Sequence, residues 1–130
     1  MKNLFLFIFL SVTTFCFSQN IQQKTDQNDY LIAENYYREG EYEKATQLFK
    51  KLYDKSSFNT TYLGRLISCY QETDNFLLAE NLLKSRIKAN NSQVYLYVYL
   101  GYNYERQQQK EQAKLNYDLA LNNLGKNAAY

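Results

Sequence analysis

Residues 33–45 read AENYYREGEYEKA, and this stretch decides the fold. Gly40 lies at its centre, where a helix can end because a left-handed backbone costs little at glycine. The last residue of the stretch, Ala45, recurs as Ala79 and again as Ala113, each time after the same interval. A small side chain that returns at a fixed spacing indicates that one structural unit is repeated along the chain.

Four further columns of residues keep the interval that separates Ala45 from Ala79. Ile32 and Tyr36 are four residues apart, and this spacing places them on one face of a helix. Five columns of similar size and polarity indicate tandem duplication rather than coincidence. The four columns are Tyr36, Tyr70 and Tyr104; Phe49, Leu83 and Tyr117; Ile32, Leu66 and Leu100; and Ala33, Ile67 and Gly101.

The period and the sequence of residues 33–45 resemble those of the tetratricopeptide-repeat (TPR) family, whose unit is a helix–turn–helix of about 34 residues. The resemblance covers repeats at 26–59, 60–93 and 94–127, and it leaves 128–130 as the start of a fourth repeat. It implies an all-α fold, a TPR α-solenoid of antiparallel helix pairs in a right-handed superhelix. We call the two helices of each repeat helix A and helix B.

The repeat columns predict a structural core. A small residue in the Ala45 column lets helix B approach helix A closely, and the Phe49 column lies one turn further along the same face of helix B. The predicted core consists of Ala33, Tyr36, Ala45, Phe49, Tyr70, Ala79, Leu83, Gly101, Tyr104, Ala113 and Tyr117.

Several residues depart from a regular pattern. Asp74 and Gln108 replace the turn glycine in the later repeats, which requires a costlier or a different turn. Arg86 falls in a column that the TPR family normally fills with alanine, and its long stem is expected to reach out to water. Asn75 and Ser92 are expected to be N-caps of the helices that follow them.

In TPR proteins the A helices line a concave groove, which is the usual binding surface. The resemblance therefore implies a groove that is rich in tyrosine and carries a few charges of both signs. Its partner-binding residues would be Tyr30, Glu34, Tyr37, Arg38, Arg65, Ser68, Gln71, Tyr95, Tyr99, Tyr102 and Arg106.

A groove lined by tyrosine suits an extended peptide or an amphipathic helix, because a tyrosine ring gives a large contact area at low entropic cost. The alternative is a carbohydrate or cell-wall ligand stacked on the same rings. The rings of Tyr95, Tyr99 and Tyr102 would also be explained by packing between repeats. The chaperone-binding members of the family hold a carboxylate with Lys, Asn and Arg in columns that are occupied here by Tyr30, Glu34, Arg65, Tyr95 and Tyr99. Among these only Arg65 has the required charge, and Glu34 would repel a carboxylate.

The composition argues against catalysis and against nucleic-acid binding. The chain has 130 residues, a net charge of +2 and no histidine, so neither a basic surface nor the usual general base is available. Cys69 has no histidine to activate it, and it is interpreted as a buried side chain, the alternative being an intermolecular partner. We therefore expect no enzyme, cofactor or metal site, and a protein or peptide as the partner.

The N-terminal residues have the pattern of a secretory signal peptide, predicted at 1–18 and followed by a flexible leader at 19–27. Lys2 precedes an unbroken apolar run at 4–10, and the small residues Cys16 and Ser18 precede the cleavage site. A membrane anchor would need about 20 apolar residues, and a lipid anchor on Cys16 would need a small residue in place of Phe15. The prediction is a bacterial exported protein, periplasmic or extracellular or associated with the cell envelope, without a stable membrane span after cleavage.

The last B helix keeps an apolar set that nothing after it is long enough to cover. Repeat arrays usually end in a polar cap. Two explanations fit: the chain is the N-terminal piece of a longer repeat protein, or this end packs on a partner or self-associates. The apolar set is Leu115, Leu119, Leu121 and Leu124.

Overall fold

A computed structural model describes residues 24–128, which form six α-helices and contain no strand. Helices α2, α4 and α6 begin one repeat length apart, as do α3 and α5, and this confirms the all-α expectation. The predicted signal peptide and residues 19–23 of the leader lie outside the described residues. The helices are α1 (24–38), α2 (Tyr42–Lys55), α3 (Thr60–Glu72), α4 (Phe76–Ala89), α5 (Val94–Arg106) and α6 (Lys110–Ala128).

Helix α1 includes residues 24–27, which the sequence assigned to the flexible leader. Two ion pairs hold this end of α1 against the end of α2. Lys55 pairs with Asp26, and the Lys51 ammonium lies 2.8 Å from a carboxylate oxygen of Asp29. Because these pairs tie the first turns of α1 to its neighbour, this part of the leader is helical.

The core is a seam that runs along the stack of helices as two clusters. The first joins α1 and α2 to α3, and the second joins α3 and α4 to α5 and α6. Of the predicted core residues, Tyr36, Tyr70 and Tyr117 are half-buried and the others are buried. The first cluster holds Ala33, Ala45, Phe49, Leu52, Leu66 and Cys69; the second holds Leu63, Ile67, Ala79, Leu83, Leu96, Leu100, Tyr104 and Ala113.

The three turns between helix A and helix B have the same backbone geometry. Gly40, Asp74 and Gln108 all have positive φ angles, of 77°, 55° and 59°. In each turn the next residue donates its N–H to the tyrosine carbonyl five residues earlier, at 2.8–2.9 Å. Asp74 and Gln108 therefore adopt the costlier left-handed turn rather than a different one.

Replacing Gln108 with glycine is expected to raise the free energy of unfolding by about 0.5–1 kcal/mol. A left-handed conformation costs an L-residue about 1–2 kcal/mol, and glycine loses about half of this gain through the entropy of the unfolded chain. Gly40→Ala, the matched change in the first turn, should lower stability by a similar amount. Urea unfolding of both variants measures this, and two unchanged midpoints would contradict it.

The helix N-caps agree less well with the predictions from the sequence. The Asn59 side chain accepts the backbone N–H groups of Thr61 and Tyr62 at 2.9 and 3.2 Å, a cap that sequence reasoning missed. Asn75 is at the N-cap position of α4, but its side chain makes no capping bond. Ser92 lies one residue before the N-cap of α5, so the prediction for Ser92 is wrong.

Arg86 is half-buried, and its guanidinium lies 5.7 Å from the centre of the Phe58 ring. The side chain therefore does not extend fully into water as expected. Phe58 remains 86% exposed, but a cation over an aromatic face is an attractive contact. The column that the family fills with alanine is occupied here by an arginine beside an aromatic ring.

Candidate functional site

The A helices α1, α3 and α5 lie side by side, and their shared surface on the side away from the B helices is the concave groove. An ion pair between Arg65 and Glu34 joins α3 to α1. A contact between Gly64 and Tyr99 joins α3 to α5. Most of the groove residues predicted from the sequence lie on these three helices with at least partly exposed side chains.

Arg65 is fixed at the centre of the groove. Its Nε and Nη2 atoms donate to the two carboxylate oxygens of Glu34 at 2.6 and 3.0 Å, a bidentate arrangement. The guanidinium also lies 4.8 Å from the centre of the Tyr37 ring. Because the charge of Arg65 is already paired with the Glu34 carboxylate, the groove does not offer it as a free cation.

Tyr30 and Tyr37 are partly buried where α1 meets its neighbours. The Tyr30 ring packs 5.8 Å from the Tyr62 ring and 6.1 Å from the Phe49 ring, measured between centroids. The Tyr37 ring packs edge-on against Tyr42 at 5.2 Å. Burial raises the pKa of both Tyr30 and Tyr37, so both hydroxyls stay protonated at neutral pH. Both rings therefore help to build the wall of the groove and also form part of its contact surface.

A small polar pocket of about 210 Å³ lies between α3 and α5. Tyr99 approaches α3 closely at this pocket, since a Cβ atom at Gly64 would lie 3.0 Å from the Tyr99 hydroxyl. The Tyr95 and Tyr99 rings meet at 89°, edge to face, with centroids 6.3 Å apart. The pocket is lined by Thr60, Thr61, Gly64, Arg65, Ser68 and Tyr99.

A second set of contacts fixes the end of the groove that α5 forms. A guanidinium nitrogen of Arg106 lies 3.4 Å from a Glu72 oxygen, so an ion pair again joins one A helix to the next. The same guanidinium lies 6.0 Å from the centre of the Tyr102 ring. Tyr102 is 40% exposed and Val98, one turn before it, is 45% exposed. Arg38, on α1 at the opposite end of the groove, is exposed and donates to Asn35.

Gln71 is a correction to the predicted site, because it is only 2% exposed. Its Nε2 donates to the Tyr99 carbonyl at 3.2 Å and lies 3.5 Å from Oδ1 of Asn103. The fully buried Asn103 in turn donates to the Phe76 carbonyl at 3.1 Å. Sequence reasoning missed Asn103, although it stands one repeat length after Cys69, which was expected to be buried. These amides form the floor of the groove and do not face a partner.

Neither an activated cysteine nor a metal-ion site is found among the described residues. Cys69 is fully buried, and burial raises the pKa of its thiol to about 11, so it is not a nucleophile at neutral pH. Within residues 24–128 no three His, Cys, Asp or Glu side chains are grouped so that they could hold a metal ion. None of the helices in this range is both long enough and apolar enough to cross a bilayer.

Several solved structures share this arrangement of helices. The first TPR of Spaghetti (RPAP3), bound to an HSP90 peptide, is 22% identical over 75% of this chain and 78% of that chain, with a TM-score of 0.62. The type III secretion translocator chaperone SycD of Yersinia enterocolitica is 18% identical over 83% and 81%, with a TM-score of 0.71. PcrH in complex with the chaperone-binding region of PopB is 14% identical over 79% and 83%, with a TM-score of 0.66.

No protein-family model matches the chain, and no curated protein is significantly similar to it in sequence. At 14–22% identity the similarity to solved structures concerns the fold alone. Together with the regular step of the helices, it shows that the chain folds as a TPR α-solenoid of antiparallel helix pairs in a right-handed superhelix.

Proposed function

We propose that the protein is a non-enzymatic scaffold that binds a segment of a partner protein in its concave groove. The observation that carries the proposal is the exposed apolar and aromatic surface of α5, formed by Val98 and Tyr102, beside the polar pocket at Gly64. Ion pairs on either side of the pocket hold the three A helices in fixed positions. A rigid surface of this kind binds without a large cost in conformational entropy.

The charges in the groove indicate which kind of segment fits. Arg65 and Arg106 are each paired with a glutamate of the chain itself. At either of these arginines a peptide carboxylate would have to displace Glu34 or Glu72 and leave that side chain unpaired, whereas Arg38, at the α1 end of the groove, donates to the Asn35 side chain. The groove therefore suits an uncharged segment with aromatic or aliphatic side chains, whose backbone or polar side chains bond to the hydroxyls of the pocket. Solved TPR structures of the same fold, among them those with an HSP90 peptide and with PopB, support peptide binding in general.

Photo-crosslinking tests the proposal. A benzophenone amino acid at Val98 or Tyr102 is expected to crosslink to a defined peptide of one partner, while the same group at the exposed Ser85 of α4 should give no specific product. Tyr99→Ala should reduce crosslinking at Val98 severalfold, because it removes one wall of the pocket. Equal products from groove and control positions, or no product from Val98 and Tyr102, would contradict the proposal.

A carbohydrate ligand is the second candidate, favoured by the hydroxyl groups that line the pocket. The perpendicular rings of Tyr95 and Tyr99 do not form a flat platform for a sugar, and for this reason we rank it second. A positive glycan array that is lost in Tyr99→Ala would reverse the order.

We further propose export through the N-terminal signal sequence, and a mature N-terminus at Gln19 in mass spectrometry is the expected result.

A further inference from the structure

Helix α6 has one face that the described chain covers only along one edge, where Ala113 is buried and Tyr117 packs against Gly101 of α5. We call it the α6 face and define it by Lys110, Ala113, Lys114, Tyr117 and Leu121. An open cavity of about 390 Å³ with a mostly apolar lining lies on it, between Tyr117 and the α5–α6 turn. Leu121 is 66% exposed there.

The same face of α4 is covered. In the repeat before, the equivalent positions are Phe76, Ala79, Glu80, Leu83 and Ile87, and α5 packs over them. Leu83 is fully buried and Ile87 is half-buried. The α6 face therefore continues an interface that the chain itself forms between consecutive repeats.

The exposed leucines of α6 do not belong to one surface. At 100° per residue, Leu115 lies at least about 120° around the helix from Leu121 and Leu124. Leu115 replaces Gln47 and Asn81, which are exposed in the earlier repeats. Leu121 replaces Tyr53 and Ile87, which pack against the core. Only the Leu121 side corresponds to the face that packs against the core in the earlier repeats.

The covering helix in the earlier repeats has a recognisable pattern. Leu96, Leu100 and Tyr104 of α5 pack into the same cluster as Leu83, and they are spaced four residues apart. Arg106 follows, with its guanidinium 5.8 Å from the centre of the Phe76 ring. The Tyr104 hydroxyl donates to Glu80 at 3.0 Å.

The α6 face carries positive charges where the same face of α4 has an uncharged and a negative residue. Lys110 replaces Phe76, and Lys114 replaces Glu80. Lys114 pairs with Asp118 at 2.8 Å, where α4 pairs Glu80 with Lys84 at 2.6 Å. A helix placed here as α5 is placed on α4 would meet the Lys110 ammonium group at its C-terminal end, which favours an acidic side chain there.

We propose that the α6 face binds an amphipathic α-helix of a partner, with three apolar side chains four residues apart and an acidic residue near its C-terminal end. A second copy of the chain fits less well. Its exposed helix α1 has Asn28, Ile32 and Tyr36 at the three apolar positions, and Arg38 would meet Lys110. The surface is distinct from the concave groove and does not depend on the function proposed for it.

A synthetic peptide of residues 59–73 serves as the probe, because it has Tyr62, Leu66 and Tyr70 at this spacing followed by Glu72. Fluorescence anisotropy with the labelled peptide, carrying Cys69→Ser, is expected to show saturable binding. Leu121→Asp in the protein should weaken it at least tenfold. Leu115→Asp, an equally exposed leucine on the other side of α6, should change it less than twofold.

A charge swap tests the orientation of the bound helix. Glu72→Lys in the peptide should weaken binding about five- to tenfold, since an exposed pair of this kind contributes up to about 1 kcal/mol and the change reverses its sign. Lys110→Glu in the protein should restore binding of that peptide to within about twofold of the original. Circular dichroism of each variant checks that the fold is retained.

Three results of the peptide-binding experiments would overturn the proposal. These are no binding at millimolar peptide, equal losses in Leu121→Asp and Leu115→Asp, and no rescue by the charge swap. Sedimentation that shows concentration-dependent dimers abolished by Leu121→Asp would also overturn it, because a second copy would then be the occupant.

Discussion

Ala79→Trp is expected to lower the free energy of unfolding by about 3 kcal/mol or more, a large part of the stability of a small domain. Ala79 is fully buried in the cluster with Leu63, Ile67 and Leu83, where helix B of the second repeat approaches helix A. An indole cannot fit there unless α3 and α4 move apart. Because repeats are stabilised by their neighbours, this separation would also uncover the surfaces of α2 and α5 that pack on them.

Urea unfolding followed by circular dichroism at 222 nm measures the effect. Asn81→Trp is the matched control, because Asn81 is exposed on the same helix and should change stability by less than about 0.5 kcal/mol. Similar unfolding midpoints for Ala79→Trp and the unmodified protein would show that no close approach of the helices exists at this position.

Gly101→Ile is expected to destabilise the third repeat by about 2 kcal/mol. A Cβ atom at Gly101 would come within 2.5 Å of the Tyr117 ring, which is closer than atoms can approach. The equivalent pairs are Ala33 with Phe49, again a small residue with a ring, and Ile67 with Leu83, two aliphatic residues of equal size.

The double variant Gly101→Ile with Tyr117→Leu copies the Ile67 and Leu83 pair of the second repeat. It should recover at least half of the lost stability, although it also removes the 2.6 Å hydrogen bond from the Tyr117 hydroxyl to Glu105. A double-mutant cycle from thermal or urea unfolding gives the coupling energy. Simple additivity of the two single changes would mean that Tyr117 swings aside and that the two positions do not pack as a pair.

The fold could be predicted from the sequence because its determinants repeat. Ala45, Ala79 and Ala113 report the same close approach of helices three times, so that a pattern too weak in one repeat becomes clear in three. The left-handed turn could be predicted at Gly40, because glycine readily adopts a positive φ. It could not be predicted at Asp74 or Gln108, because their residue types do not by themselves indicate a positive φ. There the conformation is imposed by the packing of the helices on either side.

The site could be predicted only in part, because a column gives the face of a helix and not the neighbour that covers it. Gln71 shares a column with Tyr37, yet it is buried, with its amide against the Tyr99 carbonyl and the Asn103 side chain of α5. Ion pairs such as Glu34 with Arg65 join different columns of different repeats. Such pairs depend on the exact offset between neighbouring helices, which periodicity does not specify.

The buried amides of Gln71 and Asn103 have a consequence for the whole surface above them. An apolar seam alone would permit neighbouring repeats to slide by a helical turn, since one aliphatic contact replaces another at little cost. Such a slip would leave these amides without partners, at about 1–3 kcal/mol for each group. The second and third repeats are thus locked at a single offset. A partner that spans both repeats therefore meets contact residues at fixed distances from one another.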